Sequence, residues 1–275
     1  MLLKSGINRV GGKAYLSQWL CSFLPEHTLY CEPFAGGAKL FFSKEPSQVE
    51  ILNDIDNNLV NLYKVIQNNQ KREELIETLN EIPYSRSVFN HFRKSEPQDE
   101  IEKAVRYFYL SKASFAGDVS YGGFGTPSRS TTRNPSMTYQ NSINALEHIA
   151  KRLKVVTIEC LDFRDCISKY DSDSSLFFVD APYLYCRSKR YYGQRFTYED
   201  HLELSNMLHS AKAKVMFCHY ENPEINKLYG DWNKYTYRSF KGSHKSTGES
   251  KPKTQECLFV NFLPVKTQGL FNGAV

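Results

Sequence analysis

The chain opens with an alternation of helical and strand-like hydrophobic patterns. A helix is predicted over residues 13–24, because apolar residues recur there at three- and four-residue spacing before Pro25. Strand-like apolar runs follow at 28–31 and 48–52, and a further helix is predicted from about 58 to 68. Alternation of this kind is typical of a parallel sheet with helices packed on its faces.

The alternation is interrupted in the middle of the chain. Helix-like stretches with many charges occupy 71–115, and residues 116–140 are rich in Gly, Ser, Thr, Asn and Pro. Strand-like runs resume at 155–158, 176–179, 214–218 and 257–261. We therefore predict an α/β fold with a Rossmann-like core, residues 1–60 and 145–275, and a mostly helical insertion, residues 61–144.

The composition is that of an ordinary globular protein. Of 275 residues, 41% are hydrophobic and 24% are charged, and the net charge is +5. No apolar run approaches the roughly 20 residues of a membrane-spanning helix, and the start of the sequence lacks the apolar segment of a secretory signal. We expect a cytoplasmic protein without a membrane partner. The seven cysteines are scattered, which predicts reduced thiols and no metal site.

The positive charge is concentrated in three loop-like segments. Residues 103–133 hold five basic residues against one acid, 184–195 hold four against none, and 234–253 hold six against one. Any single cluster could be a solvated surface. Three clusters interleaved with tyrosine and phenylalanine favour a nucleic-acid surface, where basic groups meet phosphates and aromatic rings stack on bases.

Two motifs at predicted strand ends indicate a cofactor site. The segment Glu32–Gly37, with the sequence EPFAGG, follows the first strand, and its glycines would let the backbone approach a ligand closely. Asp54 follows the second strand, where a carboxylate can accept hydrogen bonds from a ribose diol. The alternatives are an ordinary turn at the glycines and a helix N-cap role for Asp54 or Asp56. Together, the motifs predict a nucleoside-containing cofactor at the carboxyl edge of the sheet.

A third motif follows the apolar run at 176–179. This motif is Asp180–Tyr183, with the sequence DAPY. It combines a carboxylate, a stiff turn and an aromatic ring, which together could bind a planar base. Asp180 and the carbonyl of Ala181 would accept both hydrogens of an exocyclic amine, while Tyr183 would stack on the base. Asp-x-Pro turns are also common without such a function, so the motif alone leaves both interpretations open.

The order and spacing of these motifs resemble the Dam-type family of DNA adenine N6-methyltransferases. Five segments carry the resemblance: Val10–Lys13, Tyr30–Gly37, Leu52–Asp56, Cys160–Phe163 and Val179–Tyr183. The similarity continues at Phe196–His201 and Gln255–Phe259, so it covers nearly the whole chain. The ordered set is far more specific than any one segment.

The resemblance implies an enzyme that transfers a methyl group from S-adenosylmethionine to the exocyclic amine of an adenine flipped out of duplex DNA. The catalytic residues would be Asp180, Ala181, Pro182 and Tyr183. The cofactor-binding residues would be Arg9, Gly12, Lys13, Glu32, Phe34, Gly36, Asp54, Asp162, Phe163 and Asp180.

The insertion at 61–144 corresponds in this resemblance to the family's target-recognition domain, and 117–127 to a DNA-contacting hairpin. With the basic clusters, this predicts a set of DNA-contacting residues: Lys112, Ser120, Tyr121, Arg129, Arg187, Lys189, Arg190, Tyr192, Lys241 and Lys245. The expected partner is double-stranded DNA, bound by a monomer or weak dimer.

Two departures from the family pattern change the expected rate and the expected target. Ala181 stands where the family usually has proline, which keeps the backbone carbonyl but frees φ, so slower catalysis is expected. The 117–127 segment lacks Arg and Lys, so a GATC target is not carried over. The alternative functions are a catalytically impaired DNA-binding relative and an RNA adenine methyltransferase.

Overall fold

A seven-stranded sheet forms the centre of the protein in the computed structural model, which describes residues 16–127, 134–185, 196–240 and 253–264. The strands are β1 Leu29–Glu32, β2 Val49–Asn53, β3 Thr157–Glu159, β4 Ser175–Val179, β5 Lys214–Tyr220, β6 Asn233–Phe240 and β7 Lys253–Val260. They lie in the order β3-β2-β1-β4-β5-β7-β6. The first five strands are parallel, and β7 runs antiparallel to both β5 and β6. This arrangement agrees with the predicted Rossmann-like methyltransferase core.

Helices connect most of the strands. Within the described residues they are α1 Ser17–Cys21, α2 Lys39–Ser43, α3 Asn57–Gln67, α4 Asn69–Glu81, α5 Arg86–Lys94, α6 Glu100–Ala113, α7 Pro135–Asn144, α8 Leu146–Leu153, α9 Phe163–Tyr170, α10 Tyr198–Ser210 and α11 Pro223–Leu228. Helices α3 to α8 all lie between β2 and β3 in the chain.

Both faces of the sheet are covered, which explains the continuous apolar runs in its central strands. Every residue of β4 is buried. Leu176 and Phe178 belong to one hydrophobic cluster, and Phe177 and Val179 belong to another, because successive side chains of a strand point to opposite faces. The first cluster includes side chains of α3 to α8, and the second includes side chains of α9 to α11.

Helix α3 crosses the predicted start of the insertion at residue 61. Asp56 caps this helix, since its side chain accepts hydrogen bonds from the backbone N–H groups of Asn58 and Leu59. Farther along the chain, Phe108 and Tyr139 are buried in the same hydrophobic cluster as sheet residues. The helices between β2 and β3 therefore share a core with the sheet, and the boundaries of the insertion stay a prediction.

The elements depart from the sequence predictions in a few places. The prediction of a loop-like basic segment from residue 234 is wrong for its first part, which is strand β6. On this strand Tyr235 and Tyr237 pack against Phe23 and Trp19, with ring centroids 4.7 and 5.4 Å apart. The side of this edge strand that packs on the protein consists of tyrosines. The sequence therefore has no apolar run here from which a strand could be predicted.

Two predicted elements are shorter than expected. Helix α1 ends at Cys21, and residues 22 and 23 form a turn before Pro25, whereas the periodicity predicts a helix as far as residue 24. Strand β3 begins at Thr157, two residues later than predicted. Val155 lies outside the sheet and is 82% exposed. The other five predicted strands lie where their apolar runs placed them.

Candidate active site

Three segments leave the sheet side by side at the carboxyl ends of β1, β2 and β4. Strand β1 lies between the other two, and Cys31 has Ile51 as its partner on one side and Phe177 on the other. Because all three strands are parallel, the segments that follow them begin at the same edge of the sheet. The structure thus brings the third motif next to the first two, which precede it by more than a hundred residues in the sequence.

The loop after β1 takes a backbone conformation that favours glycine. Gly36 has a φ of 48°, donates its N–H to Asp54 Oδ2 at 2.8 Å and accepts a hydrogen bond from Tyr63 Oη at 2.8 Å. Ala38 is also left-handed, with a φ of 47°, where α2 begins. The shape of this loop therefore depends on Asp54 and on helix α3 as well as on its glycines.

Asp54 and Asp56 have different roles. The buried Asp54 carboxylate accepts the Gly36 N–H at Oδ2 and the Asp56 N–H at Oδ1, the latter at 2.9 Å. Asp56 is the N-cap of α3. The N-cap alternative therefore applies to Asp56, whereas Asp54 ties the loop after β1 to the segment after β2.

Asn53 joins two loops of the site and was not singled out by the sequence. Its side chain is fully buried and donates to the carbonyls of Pro33 and Leu161 at 2.9 and 3.0 Å. It also accepts the Leu161 N–H at Oδ1, at 2.8 Å. A polar residue ending a buried strand is the only signal that could have found it.

Glu32 lies beneath the loop rather than on its surface. Its carboxyl group is buried and accepts hydrogen bonds from Tyr30 Oη at 2.7 Å and from the Phe41 N–H at 3.0 Å. Burial raises the pKa of Glu32 to about 8, and the nearby Asp180 carboxylate also raises it. The observed contacts connect β1 to α2, and direct contact of Glu32 with a cofactor stays a prediction.

Three phenylalanines form an aromatic cluster beside the loop. The rings of Phe34 and Phe163 are stacked with centroids 5.5 Å apart, and Phe196 lies 5.7 Å from each. Asp162 caps α9 and forms an ion pair with Arg164, whose guanidinium lies 4.4 Å from the Phe163 ring centroid. The predicted residues 162 and 163 are thus next to Phe34, while Phe196 enters from the segment before α10.

The turn after β4 contains the DAPY motif. Ala181 and Pro182 are buried, and Asp180 and Tyr183 are half-buried. Tyr183 donates its hydroxyl hydrogen to Glu256 Oε2 at 3.0 Å, and its ring centroid lies 4.6 Å from that of His219. The position of the tyrosine ring is therefore set by two strands that follow it in the chain, β5 and β7.

The comparison with known proteins identifies the family. The sequence pattern of the D12 class of N6 adenine-specific DNA methyltransferases matches residues 10–242. The chain belongs to this class. The prediction of an adenine-specific DNA methyltransferase from the ordered motifs is confirmed.

Several relatives of this methyltransferase share most of its length. Type II methyltransferase M.CviBI of Paramecium bursaria Chlorella virus NC1A is 28% identical over 224 residues, which cover 80% of this chain and 84% of the relative. Type II methyltransferase M1.LlaDCHI of Lactococcus lactis subsp. cremoris is 26% identical over 280 residues, 92% of this chain and 93% of the relative. The DNA adenine methylase of Escherichia coli K12 is 26% identical over 182 residues, 63% of this chain and 62% of the relative.

The methyltransferase carries a compact loop after α6, at residues 114–125. An isolated antiparallel bridge joins Ser114 to Phe124, so the predicted hairpin at 117–127 lacks a strand ladder in the structure. Arg93 supports the loop from α5 by donating to the carbonyls of Ser120 and Gly122, both at 2.7 Å. The predicted DNA contacts Ser120 and Tyr121 are exposed on it.

Lys112 differs from the other predicted DNA contacts. Its ammonium group lies 5.7 Å from the ring centroid of Phe108 and is largely enclosed. Burial lowers the pKa of Lys112 to about 7, and the positive charge of Lys39 lowers it further. A contact between Lys112 and a phosphate stays a prediction.

The remaining predicted site residues lie outside the described residues. They are Arg9, Gly12, Lys13, Arg129, Arg187, Lys189, Arg190, Tyr192, Lys241 and Lys245. In the basic segment from 234, Lys234 is described, and its ammonium group binds Glu221 and Asn226 at 2.8 and 2.9 Å. This lysine is part of a surface ion pair on β6.

The described part of the methyltransferase contains no group of His, Cys, Asp and Glu side chains that could hold a metal ion. Among its helices, none is both long enough and apolar enough to cross a membrane.

Proposed function

We propose that the enzyme transfers a methyl group from S-adenosylmethionine to the N6 amine of an adenine in duplex DNA. The observation that carries this proposal is the shared sheet edge, where the loop after β1 and the turn after β4 leave neighbouring parallel strands. The loop is suited to bind a methyl donor, and the turn has hydrogen-bond acceptors for an amine. Two reactants held side by side react with a much smaller entropic cost than two free molecules.

The loop after β1 fits S-adenosylmethionine. The left-handed Gly36 permits close approach of a ligand to the backbone, and the buried carboxylate of Asp54 suits the hydroxyls of a ribose. Phe34, Phe163 and Asp162 suit an adenine ring with its amine. When bound, S-adenosylmethionine supplies a methyl group on a positively charged sulfur. The proposed contacts outside the described residues are Arg9, Gly12 and Lys13.

The turn after β4 activates and holds the target base. The amine of adenine is a poor nucleophile because its lone pair is delocalised into the ring. The Asp180 carboxylate and the Ala181 carbonyl accept hydrogen bonds from the two N–H groups of the amine. These hydrogen bonds localise the lone pair on the nitrogen. The same carboxylate stabilises the positive charge that develops on the amine. Stacking on Tyr183 offsets part of the few kcal/mol that flipping the base costs.

Residues 61–144 contribute the surface that recognises the DNA target. The loop at 114–125 supports this part of the proposal, because it is braced by Arg93 and exposes Tyr121, 57% of whose surface is accessible. The basic residues of the three charged segments would neutralise phosphates. We propose that the enzyme acts on duplex DNA as a monomer or weak dimer.

Methyl transfer from labelled S-adenosylmethionine tests the proposal directly. Purified protein is incubated with mixed-sequence duplex DNA and, separately, with RNA, and N6-methyladenine is quantified in both. We expect the modified base in duplex DNA, and sequencing of that DNA then identifies the target site.

Three other results would contradict the proposal in different ways. Cofactor binding without N6-methyladenine in either substrate rejects the reaction. Preferential labelling of RNA favours the RNA adenine methyltransferase. DNA binding without turnover favours a catalytically impaired relative.

A further inference from the structure

Two buried histidines bind the backbone of the turn after β4. His201 Nε2, on α10, lies 3.0 Å from the carbonyl oxygen of Pro182. The N–H of Leu184 donates to His219 Nε2, on β5, at 2.8 Å. Both imidazoles have about 1% or less of their surface exposed. The contacts therefore hold the two peptide groups on either side of Tyr183.

The partners fix the tautomer of each imidazole. A carbonyl oxygen can only accept, so His201 carries its proton on Nε2, and its buried Nδ1 has no hydrogen-bond partner within the described parts of the chain. A backbone N–H can only donate, so Nε2 of His219 carries the lone pair, and its Nδ1–H donates to the Tyr220 carbonyl at 2.8 Å. Nε2 is therefore a hydrogen-bond donor in His201 and an acceptor in His219. The centroids of the two rings are 5.5 Å apart.

Neutral imidazoles suit this position. Burial lowers the pKa of His201 to about 4, so its ring carries no charge near neutral pH. His219 cannot accept from Leu184 if a second proton occupies Nε2. The turn is consequently held by two strong, directional contacts that add no positive charge beside the Asp180 carboxylate.

We propose that His201 and His219 are positioning residues for methyl transfer, because they fix the two peptide groups that flank Tyr183 and so orient the ring on which the flipped adenine would stack. The inference rests on the proposed function of the turn. His201 fixes the peptide that follows Pro182, and His219 fixes the peptide that follows Tyr183. Glu256 holds the hydroxyl of the same tyrosine. Rotation of either peptide would turn the stacking ring away from the base.

Glutamine and asparagine variants separate this role from simple packing. A glutamine side chain places a polar atom near the Nε2 position of histidine, whereas asparagine reaches only the Nδ1 position. His219→Gln and His201→Gln therefore keep the contact with the turn, and His219→Asn and His201→Asn lose it. All four variants introduce a neutral amide.

We expect the asparagine variants to lower kcat by about 10- to 100-fold, as displacement of reacting groups by about 1 Å does in other enzymes. Their KM for DNA should stay close to that of the wild type, while their thermal midpoints should fall by a few degrees, because a buried hydrogen bond is lost. The glutamine variants should recover most of kcat, within roughly threefold. Equal kcat in the asparagine and glutamine variants, or an effect on KM alone, would overturn the proposal.

Hydrogen exchange of the Leu184 amide gives a readout that does not depend on activity. The exchange rate of this amide should rise in His219→Asn, with no change outside the turn, and should remain low in His219→Gln. A misfolded variant would instead exchange rapidly over the whole sheet. Unchanged exchange in His219→Asn overturns the positioning role. Absence of methyl transfer by the wild type instead rejects the proposed function, so the two failures are distinguishable.

Discussion

The turn at 180–184 and the loop at 114–125 are both short irregular segments, but they are stabilised by different means. Side chains from α10, β5 and β7 hold the turn through buried contacts to Pro182, Leu184 and Tyr183. The loop is closed mainly by its own backbone, with hydrogen bonds from Phe115 to Gly123 and from Gly122 to Asp118. Arg93 adds support from one neighbouring helix.

If the turn performs the chemistry and the loop recognises DNA, as proposed, this difference separates the two functions. The geometry of the turn depends on elements spread over the second half of the chain, so it forms only when the whole sheet is assembled. The loop is supported mainly by the neighbouring segment 84–94, which includes α5, and by the end of α6; Tyr84 donates its hydroxyl hydrogen to the Gly125 carbonyl at 2.8 Å. A surface of the second kind can change its exposed side chains without disturbing the reacting groups, which suits a region that selects a target.

The largest expected effect is at the acceptor carboxylate of the turn. Asp180→Ala should lower kcat by about 10³-fold or more, because it removes charge stabilisation from the reacting amine, while DNA affinity changes little. Single-turnover methylation measures the loss. Asp173→Ala is the matched control, since Asp173 is exposed just before β4 begins. Wild-type kcat in Asp180→Ala would show that the turn does not perform the chemistry.

The second prediction concerns the buried carboxyl group of Glu32, which lies beneath the loop after β1. The pKa of Glu32 is raised to about 8, so in the folded protein its protonated form is favoured, and wild-type stability falls as pH rises from about 4.5 to 8. Glu32→Gln cannot ionise. The free energy of unfolding of the variant should therefore gain about 2–4 kcal/mol relative to the wild type between pH 5 and pH 8. Chemical denaturation at both pH values checks this, and a constant difference between the two proteins would refute it.

The third prediction tests whether the loop controls DNA binding alone. A Cβ atom added at Gly122 would lie 2.6 Å from the Asp118 carbonyl oxygen, so Gly122→Ala should distort the loop. We expect the dissociation constant for DNA to rise about tenfold, a change of roughly 1.4 kcal/mol, with little effect on kcat at saturating DNA. Gly123→Ala is the control, because nothing lies within 4 Å of its added atom. A fall in kcat in the Gly122 variant would couple the two regions.

The last prediction compares two tyrosine hydroxyls. Tyr183→Phe removes a hydrogen bond to the buried Glu256 carboxylate and should lower the free energy of unfolding by about 1–3 kcal/mol. Tyr121→Phe should change it by less than about 0.5 kcal/mol, because water replaces the contacts of an exposed side chain. Denaturant titration of both variants measures the difference. Equal effects would mean that the turn and the loop are stabilised alike.

Much of the fold follows from the sequence alone. Apolar runs mark the central strands because both faces of these strands are buried, and helical periodicity marks the segments between them. The motif at 32–37 and Asp54 are expected at one edge because the carboxyl ends of parallel strands lie together, and the structure places 180–183 at the same edge. Strand β6 escaped prediction because its buried side is aromatic and its other side is charged.

The supports of the site could not be predicted in the same way. Asn53, His201, His219 and Glu256 bind atoms that lie from 19 to more than 100 residues away in the chain. No local pattern encodes such pairings, which arise only when the strands are placed in order. His219 follows the apolar run at 214–218 and lies beside the turn, where it accepts a hydrogen bond from the Leu184 N–H.

Strand β7 is inserted between β5 and β6, although it is the last of the seven to be synthesised. Until the ribosome has released it, the edge of β5 is open and Tyr183 has no Glu256 to receive its hydroxyl hydrogen. A growing chain that already contains the DAPY motif therefore lacks a finished base pocket. Folding along this order would delay methylation competence until β7 has been translated, so a nascent chain that stops before β7 is not expected to methylate DNA.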